Sequence, residues 1–205
     1  MSKKLVIIGA SGHGKVIADL AKLNRYEQIL FLDDNPALKT CAGHPVVGTV
    51  NDMLYYHDSD FVVAIGNGYT RQRIQERIEE AGLRVVSLIH PNAVIGSNVS
   101  IGNGTVIMAG TVINAETELG KGCIINTCAS VDHECDLHDF VHVSVGAHVA
   151  GKVIIGEKTW VGAGATIINN LYITDNCMIG AGSVVVKVIT ESGIYMGVPA
   201  RNQLQ

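Results

Sequence analysis

The chain has 205 residues, of which 47% are hydrophobic and 17% are charged. This balance predicts a well-buried folded protein of one or two domains and excludes a disordered chain. The net charge of −4 and the pI near 6.0 exclude the basic footprint of a protein that binds nucleic acid or an anionic membrane. No apolar run approaches the roughly 20 residues of a membrane span, and the first ten residues lack the apolar core of a signal peptide. The chain is therefore expected to be soluble and cytoplasmic.

The first predicted strand, residues 5–8, runs directly into a glycine-rich loop, residues 9–14, with the sequence GASGHG. Apolar residues at helical spacing follow over residues 16–23. A strand, a glycine loop and a helix form the arrangement in which backbone N–H groups hold phosphate. The glycine spacing departs from the GxGxxG pattern, so a nicotinamide cofactor is less favoured. The residues expected to contact the phosphorylated ligand are Gly12, His13, Gly14 and Lys15.

A second predicted strand, residues 29–32, ends in two adjacent acids, Asp33 and Asp34. In a doubly wound fold, an acid at this place accepts hydrogen bonds from a ribose or a base. The sequence Asp-Asp-Asn-Pro at residues 33–36 is equally typical of a simple turn. Both interpretations stay open at this point.

A third predicted strand, residues 61–65, leads into Gly66, Asn67 and a helix expected over residues 69–81. Ile74 and Ile78 form the apolar stripe of this helix. The charged side chains are assigned to its solvated face: Arg71, Arg73, Glu76, Arg77, Glu79 and Glu80. Arg71 could contact a pyrophosphate, although a solvated face accounts for most of these charges.

Alternating strands and helices over residues 1–85 predict a small Rossmann-like α/β domain with a parallel sheet. Ligands of such sheets bind outside the carboxyl ends of the strands. The glycine loop, Asp33, Asp34, Gly66 and Asn67 should therefore border one crevice. Residues 86–205 form the second predicted domain.

The second domain repeats every six residues, without an insertion, over residues 89–185. Branched aliphatic side chains occupy the repeat position each time: Ile89, Ile95, Ile101, Ile107, Ile113, Leu119, Ile125, Val131, Leu137, Val143, Val149, Ile155, Val161, Ile167, Ile173, Ile179 and Val185. Smaller side chains, such as Cys123 and Ala129, follow four residues later. In an extended chain the two positions share one face, so the repeat consists of strands and not of helices. Residues that bend easily, such as Gly102 and Gly156, follow the aliphatic directly and are expected at positive φ.

Short strands joined by bends at a fixed period predict a parallel β-helix. The pattern resembles the hexapeptide-repeat acyltransferases, which implies three sides per coil, left-handed winding and about five coils, or a height of roughly 25 Å. The Gly-Val-Pro-Ala-Arg sequence at residues 197–201 is similar to the tail that lines the coenzyme A site in that family, which assigns Pro199 to this site. Three cysteines at inward positions, Cys123, Cys135 and Cys177, are predicted to be packed thiols and not disulfides or nucleophiles.

Polar side chains are concentrated in residues 126–148, in the middle of the repeat. They are Asn126, Asp132, His133, Glu134, His138, His142 and His148. The four histidines are not separated by whole coils of about 18 residues and so do not stack in one column. No metal site is therefore expected.

Acyl transfer from a thioester requires a base for the nucleophile's proton and donors for the oxyanion. His133 lies near a predicted corner of its coil, and Gly151 follows it by one coil. The imidazole of His133 is suited to act as the base, and the Gly151 N–H, about 5 Å away, is suited to face the thioester oxygen. The alternative is that His133 is only a surface histidine.

Four features together resemble the bacterial nucleotide-sugar acetyltransferases of the PglD/NeuD group. They are the glycine loop, the paired acids, the three-sided β-helix (the prism) and the Asp132-His133-Glu134 sequence. The resemblance covers essentially the full length. It implies acetyl-CoA as co-substrate, a UDP-linked amino sugar as acceptor, and a homotrimer with its active sites between prisms. It also implies that His133 is the general base and that Glu134 raises its basicity, either from a bend or from an adjoining surface.

The same resemblance implies further binding residues. Asn126 would help to hold the acceptor amine, and His142 would contact acetyl-CoA from a neighbouring subunit. Backbone amides of Ala163 and Ala181, which are one coil apart, would follow the pantetheine arm.

The predicted function is direct transfer of an acetyl group to the 4-amino group of a UDP-4-amino-4,6-dideoxy sugar. O-acetylation of sialic acid and N-acetylation of GDP-perosamine are close alternatives. A non-catalytic scaffold and an NAD-binding module fused to a β-helix are alternatives from other classes.

Overall fold

The computed structural model describes residues 3–203. The chain forms two compact units, with the border between His90 and Pro91. The division at residues 85 and 86 into a binding and a transferase domain stays a prediction. Neither of the two α-helices in residues 3–203 has the length and apolar character that a membrane crossing requires.

The first unit is an α/β unit around a six-stranded sheet. Its elements are β1 (Lys4–Ile8), α1 (Gly12–Leu23), β2 (Gln28–Leu32), β3 (Thr40–Cys41), β4 (His44–Gly48), a 3₁₀ helix (Val50–Tyr56), β5 (Asp60–Val63), α2 (Gly68–Glu80), β6 (Arg84–Val85) and β7 (Leu88–Ile89). The strand order is β3-β4-β2-β1-β5-β6, and among the described strands of this sheet only β3 and β4 pair in antiparallel fashion. The predicted parallel α/β architecture is confirmed. The sequence did not predict β3, β4 or the 3₁₀ helix, because these segments are short and mix polar with apolar residues.

The central strand β1 positions the glycine loop. Leu5 to Ile8 are fully buried, and β1 pairs with β2 on one side and β5 on the other. Gly9 then turns the chain at φ +105°, a conformation that favours glycine. Gly14, inside α1, packs so closely on the carbonyl of Gly9 that a Cβ has no room. The loop and the first turn of α1 are therefore held tightly over the end of β1.

The prediction that Arg71 lies on the solvated face of its helix is wrong. The residue is only 1% exposed, and its Nη1 donates to the carbonyls of Ile65 and Gly66 at 2.8 Å each. The guanidinium satisfies carbonyl groups of the loop that follows β5, which offsets the cost of burying its charge. Gln75, one turn later, is buried as well, so the buried face of α2 is wider than the Ile74–Ile78 stripe.

The second unit contains sixteen two-residue strands between residues 94 and 185. They are β8 (Val94–Ile95), β9 (Ser100–Ile101), β10 (Val106–Ile107), β11 (Val112–Ile113), β12 (Glu118–Leu119), β13 (Ile124–Ile125), β14 (Ser130–Val131), β15 (Asp136–Leu137), β16 (His142–Val143), β17 (His148–Val149), β18 (Ile154–Ile155), β19 (Trp160–Val161), β20 (Thr166–Ile167), β21 (Tyr172–Ile173), β22 (Met178–Ile179) and β23 (Val184–Val185). Two further strands follow, β24 (Ile194–Met196) and β25 (Arg201–Asn202).

These strands stack into three parallel sheets in which every partner is 18 residues away, as in the Ile107–Ile125 and Ile125–Val143 pairs. The first side of the prism is β10-β13-β16-β19-β22, the second is β8-β11-β14-β17-β20-β23, and the third is β9-β12-β15-β18-β21. The expected left-handed parallel β-helix is confirmed. At its carboxyl-terminal end, β24 extends the first side in parallel, and β25 pairs with β24 in antiparallel fashion.

The inward aliphatic side chains form the core of the prism. From Ile107 onward they are at most 3% exposed, whereas Ile95 and Ile101 in the first coil are only partly buried. The second inward positions are buried from Thr105 to Ala165, and Cys123, Cys135 and Cys177 are buried free thiols, as predicted. Inward threonines satisfy their hydroxyls on backbone carbonyls, for example Thr117 Oγ1 on the carbonyl of Asp132 at 2.7 Å.

The bends do not lie where the sequence placed them. Positive φ occurs three residues after the inward aliphatic, for example at Glu116, Cys128 and Lys158, and not at the glycines that follow the aliphatic directly. Those glycines are needed for space instead. A Cβ at Gly102 would stand 2.5 to 2.6 Å from backbone atoms of Gly120 and Lys121 in the next coil. The requirement is a close approach between coils and not a left-handed conformation.

Candidate active site

Two corners of the prism carry the predicted site residues. The chain leaves the second side after Val131 and turns through residues 132–135 to the third side; we call this turn the His133 corner. It leaves the first side after Ile125 and turns through residues 126–129 to the second side; we call this turn the Asn126 corner. The two corners bound the same side of the prism.

At the His133 corner, three consecutive polar residues are held in place by hydrogen bonds. Asp132 Oδ1 accepts from the His133 backbone N–H at 2.8 Å and from Asn114 Nδ2 at 2.7 Å, one coil earlier. These donors, the Asn114 amide first, hold the pKa of the Asp132 carboxyl below its usual range. The imidazole is about half exposed, as expected for a corner and not for the core.

Glu134 contacts His133 through a bend in the backbone. Its φ of +56° is left-handed, so the two neighbouring side chains do not point to opposite faces as they would on a straight strand. Glu134 Oε2 lies 2.9 Å from His133 Nδ1. The bend in the backbone, and not an adjoining surface, therefore brings the Glu134 carboxylate to the His133 ring.

The second oxygen of this carboxylate has its own partner. Lys152 Nζ lies 3.3 Å from Glu134 Oε1. The hydrogen bond from His133 and then the one from Lys152 lower the pKa of the Glu134 carboxyl. Lys152 was not predicted from the sequence, although an opposite charge one coil after Glu134 was a signal for it.

Gly151 lies directly against the His133 ring. A Cβ on Gly151 would stand 2.7 Å from both Cε1 and Nε2 of the imidazole, so only glycine leaves room for the ring here. The carbonyl of Gly151 accepts from the Asn170 N–H at 3.0 Å, but its own N–H donates to no acceptor in residues 3–203. The structure thus brings the predicted base and the predicted oxyanion donor together.

A cleft of about 520 Å³ opens beside this imidazole. Its lining residues are Asp132, His133, Ala150, Gly151, Lys152, Asn169 and Asn170. The lining is polar and includes the free N–H of Gly151, which suits a substrate whose charge changes during the reaction.

The Asn126 corner carries a second group of predicted residues. Asn126 Nδ2 lies 3.4 Å from His142 Nε2, and the imidazole stacks on the Trp160 indole with ring centres 4.8 Å apart. The indole is fixed in turn, because Trp160 Nε1 donates to Ser144 Oγ at 2.6 Å. His142 is buried at this stack, so its ring orientation is well defined.

Ala163 and Ala181 lie in later coils, on the same edge of the prism as the Asn126 corner, and they are one coil apart. Both are exposed, and neither backbone N–H donates to an acceptor within the described part of the chain. The tail that contains Pro199 is tied to the last coil by Gly197 N–H to Ser183 Oγ at 3.1 Å and by Ala200 N–H to the Val184 carbonyl at 2.8 Å. Pro199 itself is exposed.

Within one chain the two corners are separated by the whole width of the second side. His133, Glu134 and Gly151 are together at one edge, and Asn126 and His142 are together at the other. A site that uses both groups needs a second copy of the chain.

In the first unit, the predicted acceptor residues follow three neighbouring strands, in the order β2-β1-β5. Asp33 Oδ2 accepts from the Ala10 N–H at 2.7 Å and Oδ1 from the Asn35 N–H at 2.9 Å, while Asp34 Oδ1 accepts from the Val50 N–H at 3.0 Å. The turn interpretation is therefore correct for the local structure, and Asp33 also holds the glycine loop. Whether the acids also bind a ligand stays a prediction.

The other residues of this group surround the same edge. Gly66 is partly buried, and Asn67 caps α2 by accepting from the Thr70 N–H at 3.0 Å. Gly12 and Lys15 are exposed on α1. Burial, followed by the charge of Arg71, lowers the pKa of His13 to about 4, so its imidazole is neutral at pH 7.

Each of the two units matches a known protein family. Residues 4–78 match the PglD N-terminal domain, and residues 152–187 match the bacterial transferase hexapeptide (six repeats). The acetyltransferase domain of PglB from Neisseria gonorrhoeae FA1090, solved also in complex with acetyl coenzyme A, superposes with a TM-score of 0.94. It is 39% identical, and the match covers 98% of this chain and 100% of that one.

Two curated relatives match over shorter stretches. GDP-perosamine N-acetyltransferase of Escherichia coli O157:H7 is 33% identical over 62% of this chain and 58% of its own length. UDP-N-acetylbacillosamine N-acetyltransferase of Bacillus subtilis (strain 168) is 35% identical over 52% of each chain. The chain thus spans little more than half the length of these relatives. With the full-length structural match, these similarities show that the chain belongs to the hexapeptide-repeat nucleotide-sugar acetyltransferases of the PglD group.

Proposed function

We propose that this chain transfers the acetyl group of acetyl-CoA to an amine of a nucleotide-linked amino sugar, with His133 as the general base. The observation that carries the proposal is the His133–Glu134 pair packed on Gly151, whose N–H has no acceptor in residues 3–203. A base with an orienting carboxylate, next to an unused donor in an open cleft, meets the requirements of acyl transfer.

The proposed reaction is a direct transfer. With Nδ1–H donating to Glu134, the lone pair of His133 Nε2 is available to take a proton from the attacking amine. The nitrogen bonds to the thioester carbonyl carbon, and the Gly151 N–H donates to the oxyanion that forms. The C–S bond then breaks, and the departing thiolate takes the proton from the imidazolium. No acyl-enzyme is required.

The acceptor proposed first is a UDP-4-amino-4,6-dideoxy sugar, acetylated at its 4-amino group. Among the relatives, one is named for a GDP-linked and one for a UDP-linked substrate. GDP-perosamine is therefore the second candidate. The nucleotide would lie at the glycine loop and the paired acids of the first unit, where N–H groups and a neutral His13 are suited to phosphate and sugar oxygens.

We also propose that the active assembly is a homotrimer. A closed ring of three prisms, each with its second side toward the three-fold axis, would bring the His133 corner of one protomer next to the Asn126 corner of its neighbour. His142 and the free amides of Ala163 and Ala181 would then hold acetyl-CoA against the His133 of the adjacent copy. The outward side chains of the second side support this arrangement, because none of them carries a fixed charge: Val94, Val112, Ser130, His148, Thr166 and Val184.

A thiol-release assay with acetyl-CoA tests the proposal against a panel of UDP- and GDP-linked amino sugars. We expect rapid release of coenzyme A with one 4-amino sugar and a product that is heavier by one acetyl group. Tight binding of NADH, with no calorimetric response to UDP or GDP and no thiol release, would instead favour the NAD-binding module. Nucleotide-sugar binding without any turnover would favour the scaffold.

A further inference from the structure

Lys152 lies one coil after the His133 corner, and the proposed reaction does not use its side chain. It follows Glu134 by one coil, and both residues have left-handed φ, +56° for Glu134 and +60° for Lys152. Their side chains therefore leave the prism from equivalent points on successive coils. Lys152 Nζ reaches Glu134 Oε1 at 3.3 Å.

The Glu134 carboxylate is consequently held from both sides. Oε2 faces His133 Nδ1 at 2.9 Å, and Oε1 faces the ammonium group. Because the Glu134 side chain is 43% exposed, little packing restrains its rotamer. Among the described residues, the lysine is the only group that contacts Oε1, so it fixes the plane of the carboxylate.

We infer that Lys152 is a positioning residue for acetyl transfer, which acts by holding Glu134 in line with His133. This inference rests on the proposed function. Glu134 in turn fixes the tautomer of His133 with Nε2 free for the substrate. Lys152 therefore influences catalysis without contacting the reacting atoms.

The test is Lys152→Met, which removes the ammonium and keeps most of the apolar stem. We expect kcat to fall about 10-fold with KM nearly unchanged, a split that a general loss of folding would not produce. Lys152→Arg should restore most of the rate, because it keeps the donor and the charge. Lys158→Met is the matched control, since Lys158 also has left-handed φ and pairs with an acid, Glu157, at 2.7 Å, at the next corner along the chain.

A double-mutant cycle decides how Lys152 acts. In a Glu134→Gln background, Lys152→Met should cause almost no further loss, because the carboxylate through which it acts is gone. An equal 10-fold loss in that background would overturn the inference and show that Lys152 contacts the substrate directly. Wild-type kinetics for Lys152→Met would overturn it as well.

The inference also has a readout that needs no turnover. The NMR shifts of the neutral His133 ring nitrogens should show a smaller share of the Nδ1–H tautomer in Lys152→Met than in wild type, and no change in Lys158→Met. Unchanged tautomer populations in Lys152→Met would count against the inference. If wild type transfers no acetyl group, the proposed function fails, and this measurement still tests the link between Lys152, Glu134 and His133.

Discussion

At the scale of single residues, Gly151 has two properties that only glycine combines. It leaves the space in which the His133 ring lies, and it presents a backbone N–H that no other described group accepts. A methyl group at this position would stand 2.7 Å from two ring atoms. The imidazole would have to rotate away, and its contact with Glu134 would lengthen.

We therefore predict that Gly151→Ala lowers kcat about 10- to 100-fold while the prism stays folded. Steady-state kinetics and a thermal unfolding curve measure the two effects. In the wild-type background, the clash with the His133 ring should lower the melting temperature. In a His133→Ala background, the same substitution should not lower it, because the ring that clashes is absent. An equal loss of stability in both backgrounds would show that the clash with His133 is not the cause.

At the scale of the coil, the short distance between successive coils determines where glycine is required. The backbone of Gly102 approaches Gly120 so closely that an added Cβ would stand 2.5 Å from the carbonyl carbon of Gly120. The neighbouring atoms belong to the backbone and cannot rotate away. A side chain at Gly102 would therefore have to push the two coils apart.

Gly102→Ala should accordingly destabilise the prism, by about 1 to 3 kcal/mol, as overpacking of a close contact does. Chemical denaturation measures this loss as a lower midpoint at unchanged slope. Ser97→Ala, at an exposed residue in the preceding corner, is the control and should change the stability by less than about 0.5 kcal/mol. Equal stability of Gly102→Ala and wild type would show that the coils can separate at no cost.

The six-residue repeat predicted the strands, the inward face and the buried thiols, because burial imposes a regular pattern on the sequence. It did not predict which corner residue is left-handed, since Glu116, Cys128 and Lys158 do not favour that conformation. For the same reason the contact between Glu134 and His133 had to be left open. Arg71 was misplaced because a buried charge paired with loop carbonyls has the same sequence pattern as a solvated one.

At the scale of the whole molecule, the candidate site is divided between the two edges of one side of the prism. Base and oxyanion donor lie at the His133 corner, whereas the His142–Trp160 stack and the free amides lie at the Asn126 corner. The one-coil spacing assigned His133 and Gly151 to their roles, whereas the roles of the residues at the Asn126 corner came only from a family resemblance. The separation of the corners in one chain is what makes a shared site testable.

A mixture of two inactive variants tests the sharing. His133→Ala lacks the base, and His142→Phe keeps a ring on Trp160 but loses the polar contact with Asn126. After the two are unfolded and refolded together, random trimers should recover about a quarter of the wild-type activity, because one interface in four combines two intact corners. Mixed trimers that are verified by mass spectrometry and have no activity would contradict a shared site.

His133 is the proposed base for acetyl transfer to a nucleotide-linked amino sugar. The most direct measurement compares kcat of wild type, His133→Ala and the control His138→Ala, with sugar binding followed by calorimetry. We predict a fall in kcat of about 10²- to 10⁴-fold for His133→Ala alone, with binding of the nucleotide sugar retained. Equal rates for wild type and His133→Ala would contradict the claim.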